Sequence, residues 1–232
     1  MNNKDIGFIV SIVPFREHDA MVHFLGYEYG LIRMVLPGYY RAKSKQGRLG
    51  LEFSKVQYRF NYQNQKLNRI IGGESINAYL QVRQDLDWLM YMSLVSELTV
   101  RCYDANTHAS FYNWFENCIE STDLKVLCIK YLAFLIQLQG FTPDVEGCVV
   151  CGNTHVNAFS IEQGGYVCAT HAYHQFKTTK SLMIALLGIF SDRDVDAYLE
   201  TINQYELLKI LVEYLEFHGD YKFNSWKLIS DV

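Results

Sequence analysis

Two closely spaced pairs of metal-binding residues constrain the fold of this chain more than any other sequence feature. Cys148 and Cys151 form a Cys-x-x-Cys pair, and Cys168 and His171 form a second pair after sixteen intervening residues. Structural zinc sites take four cysteine or histidine ligands in a tetrahedron, and each such pair supplies two of them from one tight turn. The spacing therefore predicts one zinc ion in a zinc-ribbon-like site over residues 147–172.

Other interpretations of these residues are weaker but remain open. A single Cys-x-x-Cys pair could be a redox pair, and four such residues could be buried by coincidence, but two pairs at this spacing favour a metal. His155 and His174 compete with His171 for the fourth position, although both lie outside the two-residue spacing. Four protein ligands leave no open coordination position, so we expect a structural zinc site rather than a catalytic one.

The residue pattern of the first 77 residues predicts a β-domain. Five runs rich in β-branched and aromatic residues are separated by polar turns, which is typical of short strands. These runs cover residues 6–15, 20–29, 31–38, 51–62 and 66–75. Five short strands must close on themselves or expose edges, and the five-stranded OB-fold barrel is the common solution. An SH3-like barrel is the structural alternative.

Helical periodicity replaces the strand pattern after residue 77. Apolar residues recur near a 3.6-residue spacing in five segments, which we interpret as helices of one bundle. These segments cover residues 76–103, 109–121, 123–140, 181–190 and 200–219. The predicted fold is therefore α+β and multidomain, with an OB-fold over residues 1–77 and a helical domain over residues 78–232 that contains the inserted zinc site. Three further cysteines lie in helix-like segments, where a free cysteine packs as a small apolar residue.

The distribution of charge suggests that the two parts of the chain meet different partners. The 232 residues are half hydrophobic and 15% aromatic, which indicates a folded protein with a net charge of −4. Residues 1–77 hold 11 lysines and arginines against 6 acidic residues, a net charge of +5. Residues 78–232 hold the remaining 10 against 19, a net charge of −9. A basic first part predicts contact with a polyanion there.

The densest basic stretch is GYYRAKSKQGR, where cations lie beside two tyrosines. OB-folds bind single strands through a positive groove and aromatic stacking platforms. The candidate DNA-binding residues are Arg33, Tyr39, Tyr40, Arg41, Lys43, Lys45, Arg48 and Arg59, and Arg69 could extend the track. Contacts of this kind go mostly to phosphates, so binding would depend steeply on salt and little on base sequence. The alternative is a solvated basic loop, with the two tyrosines packed rather than stacking.

Signals for catalysis and for membrane insertion are missing from the sequence. We find no Gly-x-x-x-x-Gly-Lys-Ser/Thr phosphate loop, no cluster of carboxylates suited to Mg²⁺ and only isolated histidines, so we expect a protein that is not an enzyme. No signal peptide and no stretch long enough to span a bilayer are recognisable. We therefore expect a cytoplasmic protein without membrane contact.

Several segments together resemble the RecO family of bacterial DNA repair proteins. The resemblance begins with GFIVSIVPFREHDAMVHFLGYEYGLIRMVLPGYYRAKSKQG and continues through SELTVRCYD, LIQLQGFTPDVEGCVVCG and FSIEQGGYVC. It ends with LVEYLEFHGDYKFNSWKLI, so it covers nearly the whole chain. It implies an N-terminal OB-fold, a helical domain and, in many members, a zinc site.

The same resemblance implies a recombination mediator located at the bacterial nucleoid. Members bind single- and double-stranded DNA, anneal complementary strands and load RecA onto DNA coated by single-strand binding protein, SSB. They work with RecR and often with RecF, and the acidic tail of SSB would be a further partner.

Two features depart from the family pattern. The fourth zinc position is commonly cysteine in the family and is His171 here, and the chain as a whole is modestly acidic. Two alternatives remain from the residues alone: an RNA-binding OB protein with a zinc ribbon, and a zinc enzyme that processes nucleic acid.

Overall fold

Five strands at the N-terminal end of the chain form a closed barrel. The computed structural model describes residues 3–44, 46–64, 66–172, 178–191 and 196–230. The barrel strands are β1 (Asn3–Phe15), β2 (Asp19–Gly26), β3 (Gly30–Leu36), β4 (Lys55–Asn61) and β5 (Asn68–Asn77). Their order around the barrel is β1-β2-β3-β5-β4, and β4 pairs again with β1. The predicted five-stranded OB-type barrel is confirmed, with β3 and β5 as its parallel pair.

Alternation of side chains along the strands builds the barrel core. In β4, Val56, Tyr58 and Phe60 are fully buried, whereas Arg59 between the last two is exposed. The strand begins at Lys55, four residues later than the apolar pattern predicts, because the chain turns just before it. Phe53 lies in that turn with φ +58, a left-handed conformation outside the regular extended geometry of a strand.

Helices follow the barrel, together with one short hairpin. The helices of the described residues are α1 (Leu86–Cys102), α2 (His108–Glu120), α3 (Leu124–Leu138), α4 (Lys180–Phe190), α5 (Asp196–Leu199), α6 (Gln204–Gly219) and α7 (Asn224–Ser230). The hairpin strands are β6 (Ala158–Ser160) and β7 (Gly165–Val167). None of the helices in these ranges combines the length and the apolar character needed to cross a membrane.

The expectation of one helical bundle is wrong, because the chain divides into two compact units at a later point. The units are Met1–Glu120 and Ser121–Val232, so α1 and α2 belong with the barrel. The ring of Phe8 in β1 lies 5.3 and 5.4 Å from the rings of Tyr112 and Phe115 in α2. Helical periodicity shows that a segment has an apolar face, but it does not show which surface covers that face.

The second unit holds the hairpin against helix α6. The ring of Phe159 in β6 lies 5.6 Å from that of Tyr214 in α6. In the turn between β6 and β7, the carbonyl oxygen of Ile161 lies 2.7 Å from Nε2 of His218, also in α6. The two segments flanking this hairpin carry the paired cysteine and histidine residues, so α6 supports the scaffold on which they stand.

Candidate metal centre and nucleic-acid surface

The structure brings the four predicted metal ligands together. The ligand atoms of Cys148, Cys151, Cys168 and His171 all lie within 4.8 Å of one another. Nδ1 of His171 is 3.5 Å from Sγ of Cys148 and 3.3 Å from Sγ of Cys168, and the sulfur atoms of Cys151 and Cys168 are 3.9 Å apart. Ligands at zinc bonding distances in a tetrahedron stand roughly 3.3–3.8 Å apart, so the three separations of 3.3, 3.5 and 3.9 Å are close to those of a tetrahedral zinc site.

Two tight turns place the ligands. In the first, the backbone N–H of Gly152 donates to the carbonyl of Cys148 at 2.7 Å, and Gly152 takes φ +71, which glycine adopts without strain. In the second, the N–H of His171 donates to the carbonyl of Cys168 at 3.0 Å. Each pair therefore projects two side chains from one turn, as the two-residue spacing predicts.

The electrostatics favour the thiolate form, which metals bind, at Cys148 and Cys168. At Cys151 a backbone hydrogen bond from Asn153 lowers the pKa of the thiol, but burial and the neighbouring cysteine sulfurs outweigh it and raise that pKa. Burial raises the pKa of the Cys148 thiol, but hydrogen bonds from three backbone N–H groups and from His171 outweigh it and lower that pKa to about 6. The pKa of Cys168 is also lowered, because backbone N–H groups of His171 and Thr170 outweigh its burial. Hydrogen bonds to the sulfur atoms of Cys148 and Cys168 raise the pKa of His171. The cluster could hold a metal ion with four protein ligands and no open coordination position.

Of the two competing histidines, the structure describes His155 alone, and His155 is not part of this cluster. His155 is exposed, and its backbone N–H donates to the side-chain oxygen of Asn153 at 2.9 Å. His174 lies outside the described residues. In the part of the chain that the structure describes, the cluster of Cys148, Cys151, Cys168 and His171 is the one group of cysteine, histidine and acidic residues placed to hold a metal.

The predicted DNA-binding cations lie on different parts of the barrel. Arg33 on β3 and Arg59 on β4 are exposed, and Lys4 on β1 is the cross-strand neighbour of Arg59. Arg41 and Lys43 are exposed in the loop that joins β3 to β4. They have no acidic partner among the described residues.

The remaining predicted residues of the basic stretch divide into packed, exposed and undescribed positions. The hydroxyl of Tyr39 donates to the carbonyl of Gly50 at 3.0 Å, and its ring lies so close to Gly50 that a side chain there would collide with it. Tyr39 is therefore a packing residue, whereas Tyr40 exposes 46% of its surface. Lys45 and the side chain of Arg48 lie outside the described part of the structure.

Sequence reasoning missed a groove on the same barrel. It has a volume of about 450 Å³ and lies between the faces of β2 and β3 and the loop from β4 to β5. Its lining includes Tyr29, Leu31, Arg33, Tyr62, Lys66 and Leu67. In the sequence, the residues around Gln63 have the pattern of a polar turn. Tyr62, Lys66 and Leu67 at the ends of this turn are the residues that could have indicated a binding surface.

Comparison with known proteins agrees with this architecture. The family model described as "Recombination protein O N terminal" matches residues 1–79, and "Recombination protein O C terminal" matches residues 83–227. The DNA repair protein RecO of Oceanobacillus iheyensis is 25% identical over 247 residues, which cover 100% of this chain and 94% of that protein. The protein of the same name from Exiguobacterium sibiricum is 24% identical over 248 residues, covering 100% and 98%. Since the two family models together match nearly the whole chain, this chain belongs to the RecO family of DNA repair and recombination proteins.

Proposed function

We propose that this chain is a non-catalytic recombination mediator. It binds single- and double-stranded DNA, anneals complementary strands and, with RecR, helps to load RecA onto DNA coated by SSB. The observation that carries the proposal is the match of both family models over a chain that begins with an OB-type barrel. Annealing needs no catalytic group, because it requires only a surface that neutralises two repelling phosphate backbones while the bases pair.

The DNA-binding role is assigned to residues 1–77. Four cations that face solvent on this part support the assignment: Arg33, Arg41, Lys43 and Arg59. An exposed arginine or lysine reaches a phosphate without displacing a protein partner, and the counterions released from the DNA favour binding. Tyr40, which is 46% exposed beside Arg41, is placed to stack on a base.

The metal site is assigned a structural role in residues 78–232. Zinc held by Cys148, Cys151, Cys168 and His171 would tie the two turns that flank the β6–β7 hairpin. A zinc ion with four protein ligands contributes folding free energy and has no position for a substrate or an activated water. This donor set therefore fits a structural ion better than the hydrolytic alternative.

Binding of protein partners is assigned to residues 78–232, the acidic and largely helical part of the chain. RecR, the acidic tail of SSB and, in part of the family, RecF are the partners that family membership suggests. We place the protein in the cytoplasm, at the nucleoid, where these partners and chromosomal DNA are found.

Binding to nucleic acids of equal length tests the proposal against the RNA-binding alternative. Fluorescence anisotropy with a single-stranded DNA, the RNA of the same sequence and the corresponding duplex DNA gives three dissociation constants at one salt concentration. We expect binding to both DNA forms, with single-stranded DNA bound at least as tightly as the RNA. Binding to RNA alone would contradict the proposal and favour an RNA-binding protein.

A further inference from the structure

A small cavity lies between helix α1 and the barrel, within the first compact unit. Its volume is about 260 Å³, which is below the roughly 300–1,000 Å³ of sites for drug-sized ligands. One wall comes from β1 and from the turn before β4, and the other comes from α1. The residues that shape the cavity are Val10, Glu52, Phe53, Ser96, Glu97 and Val100. The cavity therefore suits a ligand smaller than a drug molecule.

A buried hydroxyl without a partner lies in the α1 wall. Ser96 is 5% exposed, and its Oγ has no hydrogen-bond partner among the described residues. Ser93 and Thr99 of the same helix each donate to the carbonyl four residues earlier, both at 2.7 Å. Ser96 lacks that bond, although a buried hydroxyl that stays unpaired costs free energy. Because a serine side chain turns about a single bond, a ligand in the cavity that Ser96 lines could supply the missing partner.

The charged groups of the cavity favour a positively charged ligand. The charged lining residues are Glu52, Glu97 and Arg101, and Arg101 pairs with Glu97 at 3.1 Å. Oε1 of Glu52 accepts the backbone N–H of Ile12 at 2.7 Å, and this carboxylate forms no ion pair in the ranges that the structure describes. The lining therefore carries one more negative charge than positive charge.

Burial leaves the Glu52 carboxylate short of favourable interactions. Arg83 lies near it, but its guanidinium donates to the backbone carbonyl of Glu52 and, at 3.2 Å, to the hydroxyl of Ser54. Burial raises the pKa of Glu52 more than the N–H of Ile12 and the charge of Arg83 lower it. A cation in the cavity would stabilise this carboxylate, because an opposite charge nearby favours the ionised form.

Apolar side chains and one strained residue complete the wall. Val10 is fully buried and Phe53 is 5% exposed. Phe53 takes φ +58, which a bulky residue adopts only at a conformational cost, and such residues cluster at functional sites. Its ring packs edge-on against the ring of Trp88, with the ring centres 5.8 Å apart. The strained turn thus fixes an apolar surface at the position that directly follows Glu52.

We propose that this cavity binds a small organic cation, a short alkyl chain that ends in a guanidinium or ammonium group. The charged end meets the carboxylates of Glu52 and Glu97 and hydrogen-bonds to Ser96, and the alkyl chain lies against Val10 and Phe53. A guanidinium group offers N–H donors and no acceptor, so it matches a set of oxygen acceptors. The inference goes beyond the proposed function, which assigns no small-molecule site, and it does not depend on DNA binding.

Nuclear magnetic resonance shifts of the isotope-labelled full-length protein test the inference. Butylguanidinium is titrated into wild type, with butanol and butyrate as probes of the same chain length that carry no charge or a negative charge. We expect saturable shifts in β1, in α1 and in the turn before β4 with butylguanidinium. A hydrogen bond to a charged group should make its binding roughly ten- to 150-fold tighter than that of butanol. Butyrate should not shift these residues.

Two substitutions separate contact with the ligand from a structural role. Glu52→Gln keeps an oxygen for the N–H of Ile12 but removes the charge, so it should bind butylguanidinium at least about tenfold more weakly and bind butanol like wild type. Ser96→Ala should weaken butylguanidinium binding about two- to tenfold. It should not lower the melting temperature, because the hydroxyl has no partner to lose among the described residues. In the matched control, Glu74→Gln changes an exposed residue of β5 outside the cavity, and it should bind every probe like wild type.

Selectivity among the probes decides the outcome. Equal affinity of wild type for butylguanidinium and butanol would overturn the inference, as would an absence of saturable shifts or shifts centred on residues away from the cavity. Unchanged butylguanidinium binding by both Glu52→Gln and Ser96→Ala would also overturn it, because the cation would then be held by other groups.

Discussion

Charge reversal in the basic loop tests whether exposed cations of the barrel bind phosphates. Replacing Arg41, Lys43 and Lys45 with glutamate removes three possible phosphate partners and adds three repulsive charges. Each contact with a single strand contributes about 0.7 to the slope of log affinity against log salt, so three contacts amount to about two units. Because Arg41 and Lys43 are exposed and have no acidic partner in the described ranges, we expect little change in stability, within about 0.5 kcal/mol.

Fluorescence anisotropy over a series of salt concentrations measures the slope directly. The control for net charge reverses three exposed lysines of the second unit, Lys180, Lys209 and Lys227, of which Lys209 also loses its 3.9 Å ion pair with Glu213. We expect the loop variant to bind single strands weakly with the shallower slope, and the control variant to keep the wild-type slope. A folded loop variant with undiminished affinity would refute the assignment, and the cations would then be solvated surface charges.

Three further outcomes are expected from the metal cluster and the barrel. Purified protein should contain about one zinc ion per chain, and Cys151→Ser should lose it and melt at a lower temperature; equal metal content and melting in the variant would contradict a zinc ligand at this position. By metal analysis, His171→Cys should retain zinc whereas His171→Ala should not. His174→Ala should hold as much zinc as wild type, and loss of zinc in that variant would favour His174 as the fourth ligand. Gly30→Ala should destabilise the protein by roughly 1–3 kcal/mol in urea unfolding, because Gly30 has φ +66 and a Cβ there would collide with the hydroxyl of Tyr103; an unchanged midpoint would contradict this packing.

Features set by local spacing could be predicted from the sequence. The spacing of three positions within each pair, Cys148 with Cys151 and Cys168 with His171, predicts that each turn carries two ligands, and the structure places the pairs side by side. Alternation of polar and apolar residues in β4 likewise predicts which side chains fill the barrel. The buried cysteines of α1, α2 and α3 follow from helical periodicity in the same way.

Features that join distant segments could not be predicted. The groove combines Arg33 with Tyr62 and Lys66, which lie about thirty residues later, and nothing in either segment shows that β3 pairs with β5. The packing of α2 on the barrel depends in the same way on contacts such as the 2.5 Å ion pair between Lys55 and Glu116. Such placements depend on tertiary contacts, which local residue patterns do not reveal.

Strand annealing tests the central claim most directly. Two complementary oligonucleotides carrying a donor and an acceptor fluorophore are mixed with and without the full-length protein, and the rise in energy transfer gives the rate of duplex formation. The proposed mediator should accelerate pairing well above the protein-free rate, and the variant with Arg41, Lys43 and Lys45 changed to glutamate should not. An unchanged rate with folded, zinc-loaded wild-type protein would contradict the account.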